Sequence, residues 1–319
     1  MNNTKLLIQI PCYNEQNTLP EVLNDLPKEI EGIHEIIVQI IDDGSADDTI
    51  KVAESYNVNF ILKHPKNRGL AAAFKTGVNN ALKLKVDYLV NTDGDNQYCG
   101  ADIEKMVMIA IKQDADLVIG CRPIKNHKEF SFTKKILQGI GSWVLRKISG
   151  TDIKDAASGF RVYSKKSLLN INIYSEFSYC METLIQLGFL NMKILGVDIS
   201  VNKKTRESRL FKNIFQYVFM QTKTIVNILL LYRSHLIFSF LSIFSMLLSF
   251  SLFFRYFYLV NYFNAPSDSF WPSIIVASIL FLISIVLYFF GIIASLTSAN
   301  RVLLEEVLYR NRERAHKES

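Results

Sequence analysis

Two carboxylates and a carboxamide follow an apolar run in the first third of the chain. The run Val86–Val90 is followed by Asn91-Thr92-Asp93-Gly94-Asp95-Asn96-Gln97. In an extended segment, alternation would place Asp93, Asp95 and Gln97 on one side, and Gly94 would leave room for a ligand. Hard oxygen ligands of this kind suit Mg²⁺ or Mn²⁺, whose coordination is usually completed by water and substrate phosphates. An acidic turn is the alternative, because Asp, Gly and Asn are also common turn residues.

The elements that would position these side chains alternate between strand and helix. Apolar runs predict strands at Lys5–Ile10, Glu35–Ile41, Val58–Leu62, Val86–Val90 and Leu117–Ile119. Helical patterns lie between them at Leu19–Leu26, Asp47–Tyr56, Leu70–Leu84 and Asp102–Lys112. This order predicts an α/β fold with a mainly parallel sheet and helices on both faces.

Polar motifs follow three of the predicted strands. Pro11-Cys12-Tyr13-Asn14-Glu15 follows the first strand, Asp42-Asp43-Gly44-Ser45 the second, and the Asp93 group the fourth. Ligands of such sheets bind at the carboxyl ends of the strands, so we expect a nucleotide site at this edge. The sequence has neither a P-loop nor a Gly-x-Gly-x-x-Gly run after the first strand. This excludes a P-loop NTPase and a standard dinucleotide dehydrogenase, and favours a diphosphate held through a metal ion.

The last third of the chain contains two long uncharged runs. Leu236–Phe254 has 19 residues and Ser269–Asn300 has 32 residues without a charge. A bilayer core requires about 20 apolar residues, so both runs predict membrane spans rather than buried helices of a soluble protein. We therefore expect a catalytic domain at residues 1–205, a juxtamembrane helix at 206–233, a two-span hairpin at 234–300 and a basic tail at 301–319.

Basic residues indicate the location of the domain. No leader-like segment precedes the first strand, so the domain is expected to stay in the cytoplasm. The segment between the two runs, 261–268, has no Lys or Arg, whereas the outer flanks carry Arg233, Arg301, Arg310, Arg312 and Arg314. This is the positive-inside pattern for two spans with both termini cytoplasmic, and only Arg255 departs from it.

The net charge of +6 fits a membrane surface better than nucleic acid. Between residues 201 and 233 there are seven basic residues and one acid, Glu207, a pattern that attracts anionic lipids. No nucleic-acid-binding module is recognisable. The four cysteines form no Cys-x-x-Cys pair, and we interpret them as small core residues.

A helical repeat of apolar residues begins at Phe211 and continues to Leu229. One interpretation is a helix packed on the domain. The other, which the neighbouring basic residues and the following span favour, is an amphipathic helix in the plane of the membrane interface.

Six motifs together resemble glycosyltransferase family 2. They are Pro11–Glu15, Ile41–Ser45 with Asp48-Thr49, Asn67-Arg68-Gly69, Asp93–Gln97, Gly120-Cys121-Arg122 and Asp155-Ala156-Ala157-Ser158-Gly159-Phe160-Arg161. The last two resemble the polyprenyl-phosphate branch, which includes dolichol-phosphate mannose synthases and bacterial undecaprenyl-phosphate glycosyltransferases. The resemblance covers about residues 5–210 and implies a GT-A-type fold.

The resemblance implies a role for each motif on the donor side. Asp93, Asp95 and Gln97 would hold Mg²⁺ or Mn²⁺ at the diphosphate of a UDP- or GDP-sugar, with Asp95 essential for catalysis. The base and ribose pocket would be lined by Pro11, Tyr13, Glu15 and Asp43, and Asp93 would also belong to the nucleotide-binding residues.

On the acceptor side, the resemblance implies binding of a polyprenyl phosphate. Its phosphate would contact Arg122, Ser158, Arg161, Arg206 and Arg209. Family members often carry Arg, and Ser four residues later, for the acceptor phosphate, and this chain has Lys134 and Gln138 at the nearest equivalent positions. Lysine supplies the positive charge but cannot form the bidentate hydrogen bonds of arginine. Arg122 and Arg161 are also candidate catalytic residues. Asp155 is a candidate general base, although orienting Arg161 would explain it equally well.

The implied reaction is an inverting, metal-dependent transfer of a sugar to the lipid phosphate. A processive polysaccharide synthase is one alternative, but its usual Gln-x-x-Arg-Trp segment is missing, since neither Trp143 nor Trp271 follows an arginine. A catalytically inactive membrane scaffold is the other alternative. The tail segment Tyr309–Lys317 is a candidate helical contact with a second copy of the chain.

Overall fold

The computed structural model describes residues 4–123, 150–174, 179–202, 214–262, 266 and 271–318. Within them the chain forms a sheet of seven strands: β1 Lys5–Cys12, β2 Glu35–Asp42, β3 Phe60–Lys63, β4 Tyr88–Asn91, β5 Leu117–Cys121, β6 Arg161–Ser164 and β7 Ile194–Asp198. The helices are α1 Leu19–Asp25, α2 Thr49–Ser55, α3 Leu70–Lys83, α4 Ala101–Lys112, α5 Lys165–Asn170, α6 Tyr179–Phe189, α7 Ile214–Tyr262 and α8 Trp271–Glu318.

The strand order is β3-β2-β1-β4-β6-β5-β7. Every neighbouring pair is parallel except the two that involve β6, which runs antiparallel to β4 and to β5. Because β6 is reversed, its first residue, Arg161, pairs with Asn91 near the end of β4 and with Ile119 near the end of β5. The loop before β6 therefore reaches the edge where the parallel strands end. The mainly parallel α/β sheet is confirmed; β6 and β7 are strands that the sequence patterns did not predict.

The sheet is covered by an apolar core, but its central strands also bury amides. Gln9, Gln39 and Asn91 are all fully buried. Gln39 Nε2 lies 3.2 Å from Gln9 Oε1, and Gln9 Nε2 donates to Asn91 Oδ1 at 2.7 Å. Asn91 in turn donates to Gly159 O at 2.9 Å and to the Tyr179 hydroxyl at 2.8 Å. This chain of amides connects the middle of the sheet to the loop before β6, and satisfies polar groups that would otherwise be costly to bury.

By its internal contacts the chain divides into two compact units, Met1–Ile225 together with Leu308–Ser319, and Val226–Val307. Two helical segments, Ser234–Tyr262 and Trp271–Ala315, are long and apolar enough to cross a membrane. Three serines of α7 donate to backbone carbonyls of α8: Ser242 to Ser284 at 2.8 Å, Ser245 to Leu280 at 2.9 Å and Ser249 to Ala277 at 2.7 Å. As the residue numbers of the serines in α7 rise, those of their partners in α8 fall, so the two helices run antiparallel.

Helix α7, Ile214–Tyr262, includes residue 233, the last residue of the predicted juxtamembrane helix. In the first unit, Arg312 near the end of α8 donates through Nη1 to the carbonyls of Leu169 and Ile171, at 3.0 and 2.9 Å. Part of the segment predicted to contact a second copy thus binds the end of α5 in the same chain.

Candidate active site

The first loop, residues 11–16, begins inside β1 with a proline. Proline lacks the N–H that a strand neighbour would need. In β1 the backbone N–H and C=O groups of Gln9 point towards β4, because Gln9 O accepts from Thr92 N at 3.1 Å. The backbone groups of Cys12 point towards β2, because Cys12 O accepts from Asp43 N at 2.9 Å. By alternation the backbone nitrogen of Pro11 faces the β4 side. It lies beyond the last β1–β4 register pair, which is Gln9 with Asn91. The strand tolerates proline here because its neighbour has already ended.

The second loop, residues 42–49, is bonded directly to the first loop. Asn14 N donates to Ser45 Oγ at 2.9 Å, and Asn14 Oδ1 accepts from Ala46 N at 2.8 Å. Glu15 N donates to Thr49 Oγ1 at 2.8 Å. Asn14 has a φ of +56°, a left-handed conformation that asparagine tolerates better than most residues. Tyr13 directly precedes Asn14 and is 40% exposed, so it is accessible to a ligand.

The two aspartates of the second loop have different positions. Asp42 accepts from Ser45 N at 3.2 Å and closes the turn, as its residue type predicts. Asp43 accepts the backbone N–H groups of Arg68 and Gly69, at 2.9 and 2.8 Å. It thereby joins the second loop to the Asn67-Arg68-Gly69 motif at the start of α3.

The acidic segment after β4 is a turn rather than an extended strand. Gly94 and Asp95 lie in the turn, Asn96 has a φ of +54°, and Asp95 Oδ1 accepts from Gln97 N at 3.2 Å. The expectation that alternation aligns Asp93, Asp95 and Gln97 was therefore wrong. The turn is held from behind, since the hydroxyl of Thr18 lies 2.7 Å from Gly94 O and 3.0 Å from Glu15 Oε2. Glu15 is buried on this supporting side.

The same turn can still provide ligands for a divalent cation. Asp93, Asp95 and Gln97 are each partly accessible. Over the described residues no cluster of three His, Cys, Asp or Glu side chains forms. Two carboxylates with an amide nearby fit a hard cation whose other ligands are water and a diphosphate, as Mg²⁺ usually has. The donor set suits Mg²⁺ or Mn²⁺ bound together with substrate.

The arginine loop, residues 155–161, packs against the acidic turn at Gly159. A Cβ at Gly159 would lie 3.2 Å from Asp93 Oδ1 and 3.0 Å from the Tyr179 hydroxyl, tighter than ordinary contact. Asn91 fixes the carbonyl of Gly159, as described above. Burial raises the pKa of the Tyr179 hydroxyl well above its usual value, so this group stays neutral and can donate. Glycine at position 159 allows Asp93 and the arginine loop to share one edge of the sheet.

Asp155 is paired with Arg122, not with Arg161. Arg122 Nε lies 2.7 Å from Asp155 Oδ2, and Nη2 lies 3.1 Å from Oδ1, which is the bidentate geometry of a strong arginine–carboxylate pair. Asp155 is fully buried, whereas the side chain of Arg122 keeps 17% exposure. The hypothesis that Asp155 orients Arg161 was wrong: Asp155 holds the accessible guanidinium of Arg122 at the end of β5.

Arg161 is fully buried and bonds mainly to backbone carbonyls. Its Nε donates to Ser158 O at 2.8 Å and its Nη2 to Ala156 O at 2.7 Å. Its Nη1 donates to Cys180 O at 2.7 Å and to Thr183 Oγ1 at 3.0 Å. The guanidinium thus ties the arginine loop to α6. Ser158 is also fully buried, so neither side chain presents a surface to an acceptor in this geometry.

Four predicted acceptor residues lie outside the described residues: Lys134, Gln138, Arg206 and Arg209.

All four cysteines are free thiols; three are buried and Cys99 is partly exposed, in keeping with their interpretation as core residues. Sequence reasoning gave no role to several residues that build the site, among them Thr18, His64, Asn91, Tyr179 and Asn202. Asn202 Nδ2 lies 3.2 Å from Asn96 O, and Asn202 N donates to Gln97 O at 3.0 Å. Two of these residues carried a usable signal, since His64 directly follows β3 and Asn91 is the last residue of β4.

The motifs, the sheet and the site geometry agree with the comparisons to known proteins. The glycosyl transferase family 2 model matches residues 7–171, just over half of the chain. The chain belongs to glycosyltransferase family 2, and its class is that of an enzyme that transfers sugars.

Two curated relatives illustrate the branch. The chain is 28% identical over 253 residues to the UDP-N-acetylglucosamine–dolichyl-phosphate N-acetylglucosaminyltransferase of Methanococcus voltae, covering 69% of this chain and 98% of the relative. It is 30% identical over 226 residues to the dolichol-phosphate mannosyltransferase of Pyrococcus furiosus, covering 67% of this chain and 62% of the relative.

A solved structure supports the fold. Glucosyl-3-phosphoglycerate synthase from Mycobacterium tuberculosis, in complex with Mn²⁺, UDP and phosphoglyceric acid, superposes with a TM-score of 0.56 at 15% identity, covering 72% of this chain and 78% of that chain. At this identity the likeness concerns the fold alone. The predicted GT-A-type fold is confirmed.

Proposed function

We propose that this protein transfers a sugar from a nucleotide diphosphate sugar to a polyprenyl phosphate at a membrane surface, with inversion at the anomeric carbon. The observation that carries the proposal is the contact at Gly159. There the carboxylate of Asp93 meets the arginine loop, whose Asp155 holds Arg122 with part of its guanidinium accessible. One edge of the sheet would thus bring together a carboxylate that can bind the metal ion of a nucleotide diphosphate and the guanidinium of Arg122, which can bind the phosphate of the acceptor.

For the donor, we assign the base and ribose to the joined first and second loops. Tyr13 is accessible and Asp43 lies in the second loop, while Pro11 and Glu15 shape the first loop around them. The structures of the mycobacterial synthase with Mn²⁺ or Mg²⁺ and UDP support a nucleotide and a divalent cation as ligands of this fold. A UDP- or GDP-sugar is the proposed donor.

The acidic turn would hold the cation through Asp93 and Asp95, with Gln97 nearby. When bound, Mg²⁺ or Mn²⁺ would neutralise negative charge that develops on the departing nucleoside diphosphate. Thr18 and Glu15 support the turn from behind, so that the carboxylates are positioned before substrate binds.

For the acceptor, we assign Arg122 as the residue that contacts the lipid phosphate. A phosphate monoester has a second pKa of about 6 and is mostly dianionic at neutral pH, so it needs little help from a general base. Both oxygens of Asp155 are occupied by Arg122, and we therefore assign Asp155 to positioning Arg122. Arg161 and Ser158 would keep the arginine loop in place, and Lys134, Gln138, Arg206 and Arg209 remain predicted acceptor contacts.

The apolar helices suit a lipid substrate. A polyprenyl chain stays in the bilayer, so its phosphate is presented at head-group depth. Two helices long enough to span a membrane would keep the enzyme at that surface. From the distribution of basic residues we propose that the catalytic domain and both termini are cytoplasmic. A contact between two copies through the remaining part of Tyr309–Lys317 stays a prediction.

The test is reconstitution of the full chain in liposomes. Undecaprenyl or dolichyl phosphate, Mg²⁺ and a panel of UDP- and GDP-sugars are supplied, and lipid-linked sugar is measured by mass spectrometry. One donor is expected to give a monoglycosylated lipid. Asp95→Asn should reduce turnover about a hundredfold or more, because several kcal/mol of charge stabilisation is lost.

Asp114→Asn is the matched control for this change. Asp114 is exposed after α4, and the substitution removes the same charge away from the site; its turnover should equal that of the wild type. Full activity of Asp95→Asn would refute the metal assignment. A polymer of sugars would point to a processive synthase, and a lack of product with every donor would point to an inactive scaffold.

A further inference from the structure

His64 is a buried polar residue that the assigned roles do not use. It follows β3 directly, and its imidazole is 5% exposed. Nδ1 lies 2.7 Å from Asp43 Oδ1, and Nε2 lies 2.9 Å from the hydroxyl of Thr76 on α3. Because a carboxylate only accepts hydrogen bonds, Nδ1 carries the hydrogen. In the neutral ring Nε2 then accepts from Thr76, and both nitrogens are satisfied.

The donors to Asp43 are unevenly shared between its two oxygens. Oδ1 receives His64 Nδ1 and the backbone N–H of Arg68, whereas Oδ2 receives only the N–H of Gly69. A carboxylate oxygen accepts about two hydrogen bonds. Within the described residues, Oδ1 is therefore saturated and Oδ2 has capacity for one further donor.

Asp43 is thus held from two directions by the first half of α3. Gly69, at the start of this helix, donates to one oxygen. Thr76, further along the same helix, fixes the imidazole that donates to the other oxygen. A carboxylate held at both oxygens cannot rotate about its terminal bond without breaking several hydrogen bonds at once. Its remaining acceptor position is then set before a ligand arrives.

We propose that His64 is a positioning residue for nucleotide recognition: with Thr76 behind it, His64 fixes Asp43 so that Oδ2 accepts a hydrogen bond from an N–H or O–H group of the nucleotide. The inference rests on the proposed function, since it places Asp43 in the nucleotide pocket. His64 does not touch the substrate. Its effect is on the affinity of the donor, not on the chemical step.

Two substitutions test separately the contacts made by Nδ1 and by Nε2 of His64. In His64→Asn the amide nitrogen takes roughly the place of Nδ1, so the donor to Asp43 is kept and the contact with Thr76 is lost. In His64→Gln the amide nitrogen reaches roughly the place of Nε2, so the contact with Thr76 is kept and the donor to Asp43 is lost. The exposed His34, near the opposite edge of the sheet, gives the matched controls His34→Asn and His34→Gln.

Binding of UDP and of GDP to the full-length protein with Mg²⁺ is measured by calorimetry, together with KM and kcat for the active sugar nucleotide. His64→Gln should weaken nucleotide binding about tenfold or more, as expected for a lost hydrogen bond to a charged group. His64→Asn should stay within about threefold of the wild type, and kcat should change little in both, because uniform binding affects KM alone. The His34 variants should bind like the wild type.

Equal binding by wild type, His64→Asn and His64→Gln would overturn the inference. So would equal losses in both His64 variants that follow a lower melting temperature, which would indicate a purely structural histidine. The assay does not use the lipid acceptor. If wild-type protein binds UDP or GDP with the expected pattern but forms no lipid-linked sugar, the proposed acceptor fails while the role of His64 stands. If wild-type protein binds neither nucleotide, both proposals fail.

Discussion

The first and second loops and the arginine loop are neighbours on one sheet edge, yet they are stabilised in different ways. The first and second loops are joined by several hydrogen bonds of ordinary length between Asn, Ser, Thr or Asp side chains and backbone N–H groups. The arginine loop depends on two arginines. Arg161 alone makes four hydrogen bonds in the interior, and Arg122 is fixed by both oxygens of Asp155.

The two kinds of loop should therefore respond differently to the loss of a single side chain. A typical single hydrogen bond contributes about 1 kcal/mol, so loops held by many such bonds tolerate the loss of one. A loop that concentrates its bonds on one buried cation does not, because removal of the cation leaves several buried acceptors unpaired at once. The donor side should therefore weaken gradually, and the acceptor side should fail abruptly.

The largest effect is expected for Arg161→Met. The substitution removes the guanidinium donors to the carbonyls of Ala156, Ser158 and Cys180, and should lower the free energy of unfolding by about 3 kcal/mol or more. Thermal unfolding of the purified protein, followed by intrinsic fluorescence, measures it. Arg161→Lys keeps the charge but cannot reproduce the forked geometry, so it should be intermediate. An unchanged melting temperature in Arg161→Met would remove the contrast between the two regions.

A smaller and more selective effect is expected for Asp155→Asn. Arg122 loses its bidentate partner, and turnover should fall about tenfold to a hundredfold, as when catalytic groups lose their orientation. Affinity for the nucleotide should stay near the wild-type value. Arg122→Gln should cause a similar loss, and the double variant should be no worse than the singles if the two residues act as one unit.

The pH profile of Asp155→Asn distinguishes positioning from base catalysis. If Asp155 only holds Arg122, the shape of the profile should match that of the wild type at lower activity. Loss of the acidic limb in the variant would instead identify Asp155 as a general base.

The smallest effect is expected for Asn14→Ala, on the donor side. The variant loses the bond from Ala46 N and places alanine at a φ of +56°, and should weaken nucleotide binding by about 1 kcal/mol, or roughly fivefold. Asn14→Gly tolerates the same φ and isolates the side-chain bond. Asn24→Ala, which removes an exposed bond to Tyr56, is the control and should have no effect. Complete loss of binding in Asn14→Ala would show that this side is as brittle as the arginine loop.

Sequence patterns were most successful where local periodicity is strong. The predicted strands and helices between residues 5 and 121 correspond closely to β1–β5 and α1–α4, because most of these elements carry buried apolar residues at the spacing of a strand or a helix. Strand β6 was missed because it is only four residues long and starts with a charged residue, Arg161. The acidic segment was expected to be extended, but Asn96 adopts a left-handed conformation that turns the chain back towards Asn202.

The sequence by itself determined the family, the order of the motifs and the presence of two apolar helices, since these depend on residue type and spacing along the chain. The tertiary structure decided which charged groups meet. Because the reversed strand β6 lies between β4 and β5, Arg161 is enclosed by the sheet and α6, and Asp155 is left to pair with Arg122. In the same way, the approach of α3 to the second loop gives His64 its contact with Asp43. Such pairs join residues that are far apart in sequence, and only the packing of the elements selects them.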